Sequence, residues 1–284
     1  MAVARAALLT SGLRVRRRPS ATTLVGATLV LVIALAALLA PVLTRWGSTE
    51  LDFDAILAGP GAPRHPLGTD ENGMDIFSRI LFAARVDLGV AAAAVSVSVL
   101  VGGTIGAVVG YLGGWLDELT MRVVDVFQSF PAFVLALAVV AVLGNSLVNL
   151  VEVLALVSAP GYVRLMRTEV RSAREHGWVE AARAAGMSWP SVLFRQVIPN
   201  TLRPVLVIAP LNCGWAILTL AGLSFLGLGV QLPNAEWGAM IATGANQLVS
   251  GEWWTSVIPG LALLVTVLAF NLTSEGALAP PGQR

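Results

Sequence analysis

The chain has 284 residues, of which 56% are hydrophobic and only 12% are charged. With a mean hydropathy of +0.78, it carries more apolar surface than one soluble core can bury, so the composition predicts a protein that lies in a bilayer. All 18 basic residues are arginine, which excludes the phosphate-binding loop Gly-x-x-x-x-Gly-Lys-Ser/Thr because that loop needs a lysine. Any nucleotide energy that the protein uses must come from another polypeptide.

Disulfide, metal and nucleic-acid functions find no support in the composition. Cys213 is the only cysteine and lies in an apolar run, so a disulfide framework within the chain is excluded. His65 and His176 are the only histidines, and their separation does not fit the spacing of a metal site. The net charge of +1 gives no reason to expect nucleic acid as a partner.

Six apolar segments are candidates to cross the hydrocarbon, which takes roughly 20 residues, although the fourth is short. They are Thr22 to Leu43, Leu88 to Leu112, Val123 to Leu143, Leu147 to Ala159, Val205 to Val230 and Val257 to Leu272. The sequence therefore predicts an all-α, polytopic protein with six transmembrane helices, the first at 22–43 and five more within a core domain at 86–272. The fourth segment is expected to continue as a helix past Pro160 and to project from the membrane.

The arginines predict the orientation, because basic loops stay in the cytoplasm. Five of them precede the first segment, and seven lie between residues 163 and 203 against three glutamates. We therefore expect the tail 1–21, the polar stretch 163–203 and the tail 273–284 to be cytoplasmic. The loop 44–85 then faces outside and is long enough to hold a short helix.

Two apolar features leave alternatives open. A cleavable signal peptide is the alternative interpretation of the first segment, but its apolar run from Ala21 to Val42 exceeds the about 7 to 15 residues of such a peptide, which favours a retained anchor. In the second segment Gly102, Gly106 and Gly110 line one helix face and let a neighbouring backbone approach closely. Packing inside the bundle is favoured over a role at a subunit interface.

The polar stretch 163–203 is expected to fold as a hairpin. Helix formers continue from Trp178 to Ala185, and Gly186 stands where a helix ends in the left-handed conformation that glycine adopts most easily. Pro190 suits the first turn of a second helix, and Pro199 forbids its continuation. The pattern predicts two short helices joined at Gly186.

The first of these helices offers a surface to a soluble partner. Glu180 and Ala184 share one side of it, while Ala181, Ala182 and Ala185 add small side chains that a groove can approach. The alternative is a solvated helix on anionic headgroups, which accounts for the arginines but not for the glycine break followed by the proline.

The chain resembles a known family at these residues. Glu180-Ala181-Ala182-x-x-x-Gly186, closing at Ile198-Pro199, is similar to the "EAA" loop of the membrane permease subunits of ABC importers. The run from His65 to Arg79 resembles the outer-loop signature of the C-type permease subunit of dipeptide, oligopeptide and nickel importers; it contains Gly68, Thr69, Asp70, Gly73 and Asp75. Further matching motifs extend to Leu272 in the family's order.

The resemblance implies a non-enzymatic permease subunit in a bacterial inner membrane, which imports di- or oligopeptides by alternating access. The EAA-loop residues Glu180, Ala181, Ala182, Gly186, Ile198 and Pro199 would contact an ATPase subunit. The implied partners are a second, B-type permease subunit in a heterodimer, two ATPase subunits, an extracytoplasmic binding protein and the lipid bilayer. No cofactor or metal is expected on this chain, because ATP and magnesium lie on the ATPase subunits.

Polar residues inside the spans are candidates for the translocation path, since charges there are costly and often functional. Glu152 either lines the path and meets the amino group of a peptide, or faces water near the outer surface. Asn212 and Trp215 are weaker candidates for the same lining. For Asp125, near the inner end of the third span, a local ion pair is favoured over solute binding.

Alternatives of other kinds stay open. A nickel or other small-solute permease is the alternative within the family, and a scaffold or sensor that binds a soluble partner without transport is the alternative outside it. A serine protease of the membrane is disfavoured, because Ser224 lies in a span and both histidines lie outside the spans.

Overall fold

The computed structural model describes residues 20–231 and 233–278, so most of the predicted tail 1–21 and the end of the tail 273–284 lie outside the described residues. The described residues form helices and loops without a β-strand, which confirms the predicted all-α fold. In chain order the helices are α1 (Ala21–Leu38), α2 (Ala40–Leu43), α3 (Ile76–Leu112), α4 (Gly114–Ser129), α5 (Ala132–Leu143), α6 (Leu147–Arg174), α7 (Gly177–Ala184), α8 (Trp189–Val192), α9 (Ile198–Phe225), α10 (Trp237–Ala245) and α11 (Trp254–Leu278).

Five helical segments are long and apolar enough to cross a membrane: α1, α3, α6, the run that includes α9, and α11. Helices α4 and α5 supply a sixth span only as a bent pair, because they meet at 90°. The predicted span from Val123 to Leu143 is therefore present as a bent pair of helices rather than as one continuous helix. Phe130 is extended, with ψ at 140°, because the following Pro131 disfavours a helical residue before it and has no N–H to donate.

Helices α3 and α6 run parallel, and their backbones meet along the line of glycines. A Cβ at Gly102 would lie 2.6 Å from the carbonyl oxygen of Ala159, and one at Gly110 would lie 2.7 Å from that of Arg167. Gly106, one turn from each, faces the α6 backbone in the same way. The predicted role in packing within the bundle is confirmed, because the facing backbone belongs to the same chain.

The second helix of the polar stretch 163–203 does not stop at Pro199, contrary to the prediction. Residues Leu193–Val197 form a π-helical turn, in which the N–H of Ile198 donates to the carbonyl of Leu193 five residues back. In a regular helix the ring of a proline collides with the carbonyl four residues earlier, and the wider turn gives the ring room. The chain therefore stays helical from Trp189 to Phe225.

The fourth span continues beyond its apolar part, as predicted. Helix α6 extends to Arg174 and passes through Pro160 without a break. It therefore reaches directly from the apolar bundle into the polar stretch.

The two ends of α3 lie on opposite sides of the bundle. It begins at Ile76, directly after the loop of residues 44–75, and we call this side of the bundle the loop end. Near its other end, Tyr111 packs in one apolar cluster with Met166 of α6 and Val179 of α7, and we call this side the hairpin end. Helix α11 packs against α1 and α9, and the short α10 lies at the loop end.

Gly106→Ala should destabilise the protein more than Gly103→Ala does. A Cβ at position 106 would collide with the α6 backbone, whereas a Cβ at position 103 meets nothing within 4 Å. Overpacking of this kind costs about 1–3 kcal/mol. Thermal unfolding of both variants in detergent measures the difference, and equal unfolding temperatures would contradict the contact between α3 and α6.

Candidate partner-docking hairpin and signature loop

Residues 175–198, called the hairpin below, turn sharply at Gly186. The φ of Gly186 is +80°, the left-handed conformation predicted for it. Its N–H donates to the carbonyl of Arg183 at 2.9 Å, and the N–H of Met187 donates to that of Ala182 at 3.2 Å, so two carbonyls at the end of α7 are satisfied. A Cβ at position 186 would meet nothing within 4 Å. Glycine is therefore needed here for its backbone conformation rather than for space.

Helix α7 has one face in the core and one face exposed. Val179 is fully buried and Ala182 is 8% exposed, and both belong to the apolar cluster at the hairpin end. The prediction that Ala182 offers a surface to a partner is wrong, because its methyl group packs inward. Glu180, Ala181 and the residues from Ala184 to Gly186 are exposed. The outer side of α7 thus combines the Glu180 carboxylate with small side chains, beside the exposed Trp178 and Arg183.

The hairpin is fastened to the end of α3 through Tyr111. Arg174 donates to the backbone carbonyl of Tyr111 at 2.8 Å, and Arg183 donates from Nε to its phenol oxygen at 3.1 Å. The Arg183 guanidinium also lies 4.9 Å from the centre of the Tyr111 ring, within the range of a cation–π contact. Trp189 stacks with the same ring at 6.4 Å. Arg183 and Trp189 therefore hold the hairpin to α3, and Arg174 holds the end of α6 that leads into it.

Two aspartates of α4 pair with further arginines of α6. Arg167 donates to both carboxylate oxygens of Asp117, and Arg171 lies 3.7 Å from one of them. Asp125 pairs with Arg164 at 2.6 Å, so its expected ion pair forms, with the partner on another helix. These contacts connect α4 to the part of α6 that leads into the hairpin.

The loop 44–75 at the opposite end of the bundle, called the signature loop below, is held in its folded conformation by the signature residues. Thr69 is fully buried, and its hydroxyl accepts the N–H of Ala58 at 2.9 Å. Gly68 and Gly73 have φ values of +83° and +78°, which a residue with a side chain rarely adopts. A Cβ at Gly68 would also lie 2.5 Å from the carbonyl oxygen of Ala58. These three signature residues fix the path of the backbone.

Asp70 completes the turn before α3. Its Oδ1 accepts the N–H groups of Asn72 and Met74, both at 2.9 Å. Its Oδ2 lies 3.6 Å from Nε of Arg79, whose side chain is only 3% exposed. Met74 is buried as well, and its sulfur contacts the Arg79 guanidinium.

His65 lies between two carboxylates beneath this turn. Its Nδ1 is 3.0 Å from Asp75, and its Nε2 is 3.3 Å from Asp52. Asp75 is also the N-cap of α3 and accepts the N–H of Ser78 at 2.8 Å. Trp46 stacks on the imidazole at 5.0 Å. The signature therefore anchors the first turn of α3 to the loop, and most of its predicted residues are buried.

The three candidates for the translocation path lie in different surroundings. Glu152 is exposed near the start of α6. Asn212 donates to the hydroxyl of Tyr162 at 2.7 Å, so its amide joins α9 to α6. Tyr162 lies ten residues after Glu152 on α6, about 15 Å along the helix axis, which keeps Asn212 away from Glu152. Trp215 is 62% exposed on α9.

One pair of polar residues at the loop end was not predicted from the sequence. Asp87 of α3 and Glu236, the N-cap of α10, are both almost completely buried, and Asp87 accepts the N–H of Trp237, which follows Glu236. An aspartate directly before an apolar span is a signal that was available, but the residue opposite it is distant in the sequence.

A sequence comparison decides the family. Residues 102–278 match the family described as binding-protein-dependent transport system inner membrane component. The match runs from the glycine line of α3 to the end of α11 and includes the whole hairpin. The chain belongs to this family. It is therefore a multi-pass membrane component of a binding-protein-dependent transport system.

Individual relatives of this transport component are similar over most of its length. It is 40% identical over 253 residues to the dipeptide transport system permease protein DppC of Alkalihalophilus pseudofirmus, covering 89% of this chain and 83% of that protein. It is 39% identical over 256 residues to the di/tripeptide transport system permease protein DppC of Pseudomonas aeruginosa, covering 88% and 84%. Against the glutathione transport system permease protein GsiD of Pectobacterium atrosepticum the identity is 39% over 225 residues, covering 79% and 74%.

These matches confirm the resemblance to C-type permease subunits and identify a transport component rather than an enzyme. The protease alternative is set aside on this ground. Ser224 has a different task, since its hydroxyl accepts the N–H of Val230 at 3.2 Å after the end of α9.

Asp52 should make the closed loop of this transport component sensitive to acid. The hydrogen bond with His65 holds the pKa of Asp52 below its ordinary value of 3.8; burial opposes this, and the Asp54 N–H and the Arg64 charge support it. Because the pKa is lower in the folded loop than in the unfolded chain, Asp52 stabilises the loop above pH 3.8, and this stabilisation is lost as the pH falls below that value.

Hydrogen exchange of the loop, followed from neutral pH into this acid range, measures its opening. Asp52→Asn should reduce the increase in loop opening at acid pH, because the titrating group is gone. Asp54→Asn, at an exposed position, should retain the change. Equal acid sensitivity of Asp52→Asn and the native protein would contradict the role of Asp52.

Proposed function

We propose that this chain is the permease subunit of an ATP-driven importer of small peptides, and that its hairpin transmits the motion of ATPase subunits to the membrane helices. The family match supports the transport role. The names of relatives, which refer to dipeptides, di- and tripeptides and glutathione, support small peptides as the solute class. Nickel complexes and other small solutes are the alternative solutes.

The coupling proposal rests on one observation: α7 exposes one face, while its opposite face is packed in the core. Glu180 and Ala181 lie on the open side of α7, where a groove of a soluble protein can reach the backbone closely. The inner side of α7 is packed in the core through Val179, and Arg183 holds its end to Tyr111. A force applied to this face therefore reaches α3 and α6 rather than bending the hairpin.

The mechanism proposed for this chain is a shift between two conformations of the membrane helices. ATP bound to two partner ATPase subunits, with magnesium, shifts the equilibrium only through contacts that differ between the two states. For this chain those contacts lie at the hairpin. Helix α6 has 28 residues and no break, so it connects the hairpin directly to the other end of the bundle.

A second permease subunit of the B type is proposed to complete the translocation path. Apolar side chains remain exposed on this chain, among them Val126 of α4, Phe130 directly after α4 and Trp215 of α9. They fit either lipid or another membrane subunit. An extracytoplasmic binding protein is proposed to deliver the solute at the loop end, where the signature loop is displayed.

The proposed orientation places the hairpin and both chain termini in the cytoplasm. Its support is the number of arginines in the stretch 163–203, compared with the acidic character of the segment that holds Glu236 and Glu252. The loop end then faces outside, which agrees with delivery by an extracytoplasmic protein.

A thiol at position 181 should cross-link to an ATPase subunit, whereas a thiol at position 182 should not. Ala181 is exposed and Ala182 is buried, although they are neighbours on α7. Ala181→Cys and Ala182→Cys are made in a Cys213→Ser background, so that each protein has one thiol. Cross-linking in membranes that contain the complete transporter, followed by electrophoresis, measures contact.

Equal cross-linking at both positions would contradict the assignment of the outer face of α7. A membrane-impermeant thiol reagent provides the control for orientation, since Ala181→Cys should react only after the cells are permeabilised. Reaction in intact cells would overturn the proposed orientation. Cross-linking without any solute uptake would favour the scaffold or sensor alternative.

Glu152→Gln should lower the uptake of a dipeptide with a free amino group and leave the uptake of its N-acetylated form unchanged. A partly exposed ion pair contributes up to about 1 kcal/mol, so the expected loss is at most about fivefold. Initial uptake rates of the two labelled peptides measure it. Glu118→Gln, which removes an exposed carboxylate from α4, is the control and should transport both peptides normally. Identical rates in Glu152→Gln and native protein would remove Glu152 from the path.

A further inference from the structure

Two acidic side chains are buried against each other at the loop end, outside both the hairpin and the signature loop. Asp87 of α3 is 1% exposed, and Glu236 at the start of α10 is fully buried. Asp87 accepts the N–H of Trp237, the residue that follows Glu236, at 3.2 Å, which places the two buried side chains at the same turn. Two ionised carboxyl groups offer only acceptors, so a hydrogen bond between them needs a proton.

The hydrogen-bond partners of the two groups differ. Glu236 accepts the N–H groups of Gly238 at 2.8 Å and Ala239 at 2.7 Å, one on each oxygen. Both oxygens of Glu236 are thus already engaged as acceptors. Asp87 accepts one N–H through Oδ2, from Trp237 at 3.2 Å, and its Oδ1 has no partner among the described residues. The unpaired oxygen of Asp87 is therefore the place for the proton.

The surrounding charges do not compensate two ionised carboxylates. No arginine or histidine of the described residues forms an ion pair with Asp87 or Glu236. On the same helix, Arg79 is engaged with Asp70, and Arg85 is exposed. Two like charges in contact in a buried site strongly disfavour the state in which both are ionised.

We propose that Asp87 and Glu236 form a proton-binding site, in which Asp87 keeps one proton at neutral pH and donates it from Oδ1 to the Glu236 carboxylate. The proton comes from water and returns to water, so the site needs no other reactant. This arrangement gives the unpaired oxygen of Asp87 a hydrogen bond and leaves a single negative charge on the pair.

The proton between Asp87 and Glu236 stabilises the contact of α10 with α3. The first turn of α10 is held at Trp237, which is 1% exposed and donates from Nε1 to the carbonyl of Ile80 at 3.2 Å. Gly238 in the same turn lies against the backbone of Ala221 in α9. Loss of the proton would leave two charges in contact beneath this turn. The turn should then open, so that the loop end responds to alkaline pH.

Infrared spectroscopy of the purified protein in lipid nanodiscs tests for the proton directly. A protonated carboxylic acid has a C=O stretching band that a carboxylate lacks. The native protein should show this band at neutral pH, and Asp87→Asn should lose it. Glu71→Gln, which removes an exposed carboxylate at the loop end, should keep the band. Absence of the band from the native protein at neutral pH would overturn the proposal.

Hydrogen exchange of the first turn of α10, corrected for the intrinsic rate at each pH, provides the second measurement. The closed turn binds one more proton than the open turn, so the equilibrium constant for opening should rise by up to about tenfold per pH unit. Asp87→Asn carries a permanent N–H donor, and its opening should not depend on pH. If this variant does not fold, Asp87→Ser supplies a hydroxyl donor instead.

Two results of the exchange experiment would overturn the proposal. One is the same pH dependence in the native protein and in the Asp87 variant. The other is opening that depends on the sodium concentration rather than on pH, because a bound cation and not a proton would then join the carboxylates. Neither result bears on the hairpin, so this test is independent of the proposed coupling to ATPase subunits.

Discussion

The parallel contact between α3 and α6 is the constraint on which the rest of the structure depends. Glycines at 102, 106 and 110 let the two backbones meet, and Ser98 adds a hydrogen bond to the carbonyl of Ala155 at 3.1 Å one turn earlier. Helix α6 continues into the hairpin, and α3 provides Tyr111, to which the hairpin is fastened. The hairpin is thus attached to both α3 and α6. Because these two helices are closely packed, a shift of the hairpin against α3 requires that α6 move as well.

Most arginines of the polar stretch are engaged within the protein, which changes the meaning of its charge. Arg164, Arg167 and Arg171 pair with aspartates of α4, and Arg174 and Arg183 bind Tyr111. These contacts account for five of the seven arginines of the stretch without an anionic headgroup. The arginines alone therefore do not favour the alternative of a helix that lies on the membrane surface. The exposed side of α7 instead combines Glu180 with small side chains beside Trp178 and Arg183, a mixture that suits contact with a protein.

The sequence predicted those features that depend on the conformational preference of a single residue. Gly186 was predicted in the left-handed conformation because other residues rarely adopt it, and the structure confirms it. Features that depend on tertiary packing were not predictable. Pro199 stays inside a helix only because a π-helical turn precedes it, and Ala182 faces inward because its short helix docks on the core. The position of Asp87 before an apolar span was a signal, but its neighbour Glu236 could not be predicted because it is distant in the chain.

The signature loop acts through the helix that follows it. Helix α3 has 37 residues and is therefore about 55 Å long, and it joins the loop end to the hairpin end without a break. Asp75 caps its first turn and Tyr111 lies in its last. A helix of this length keeps its direction only if its start is held, and the buried contacts of His65 and Thr69 do so. The signature residues thus help to determine, from the opposite end of the bundle, where the hairpin is placed.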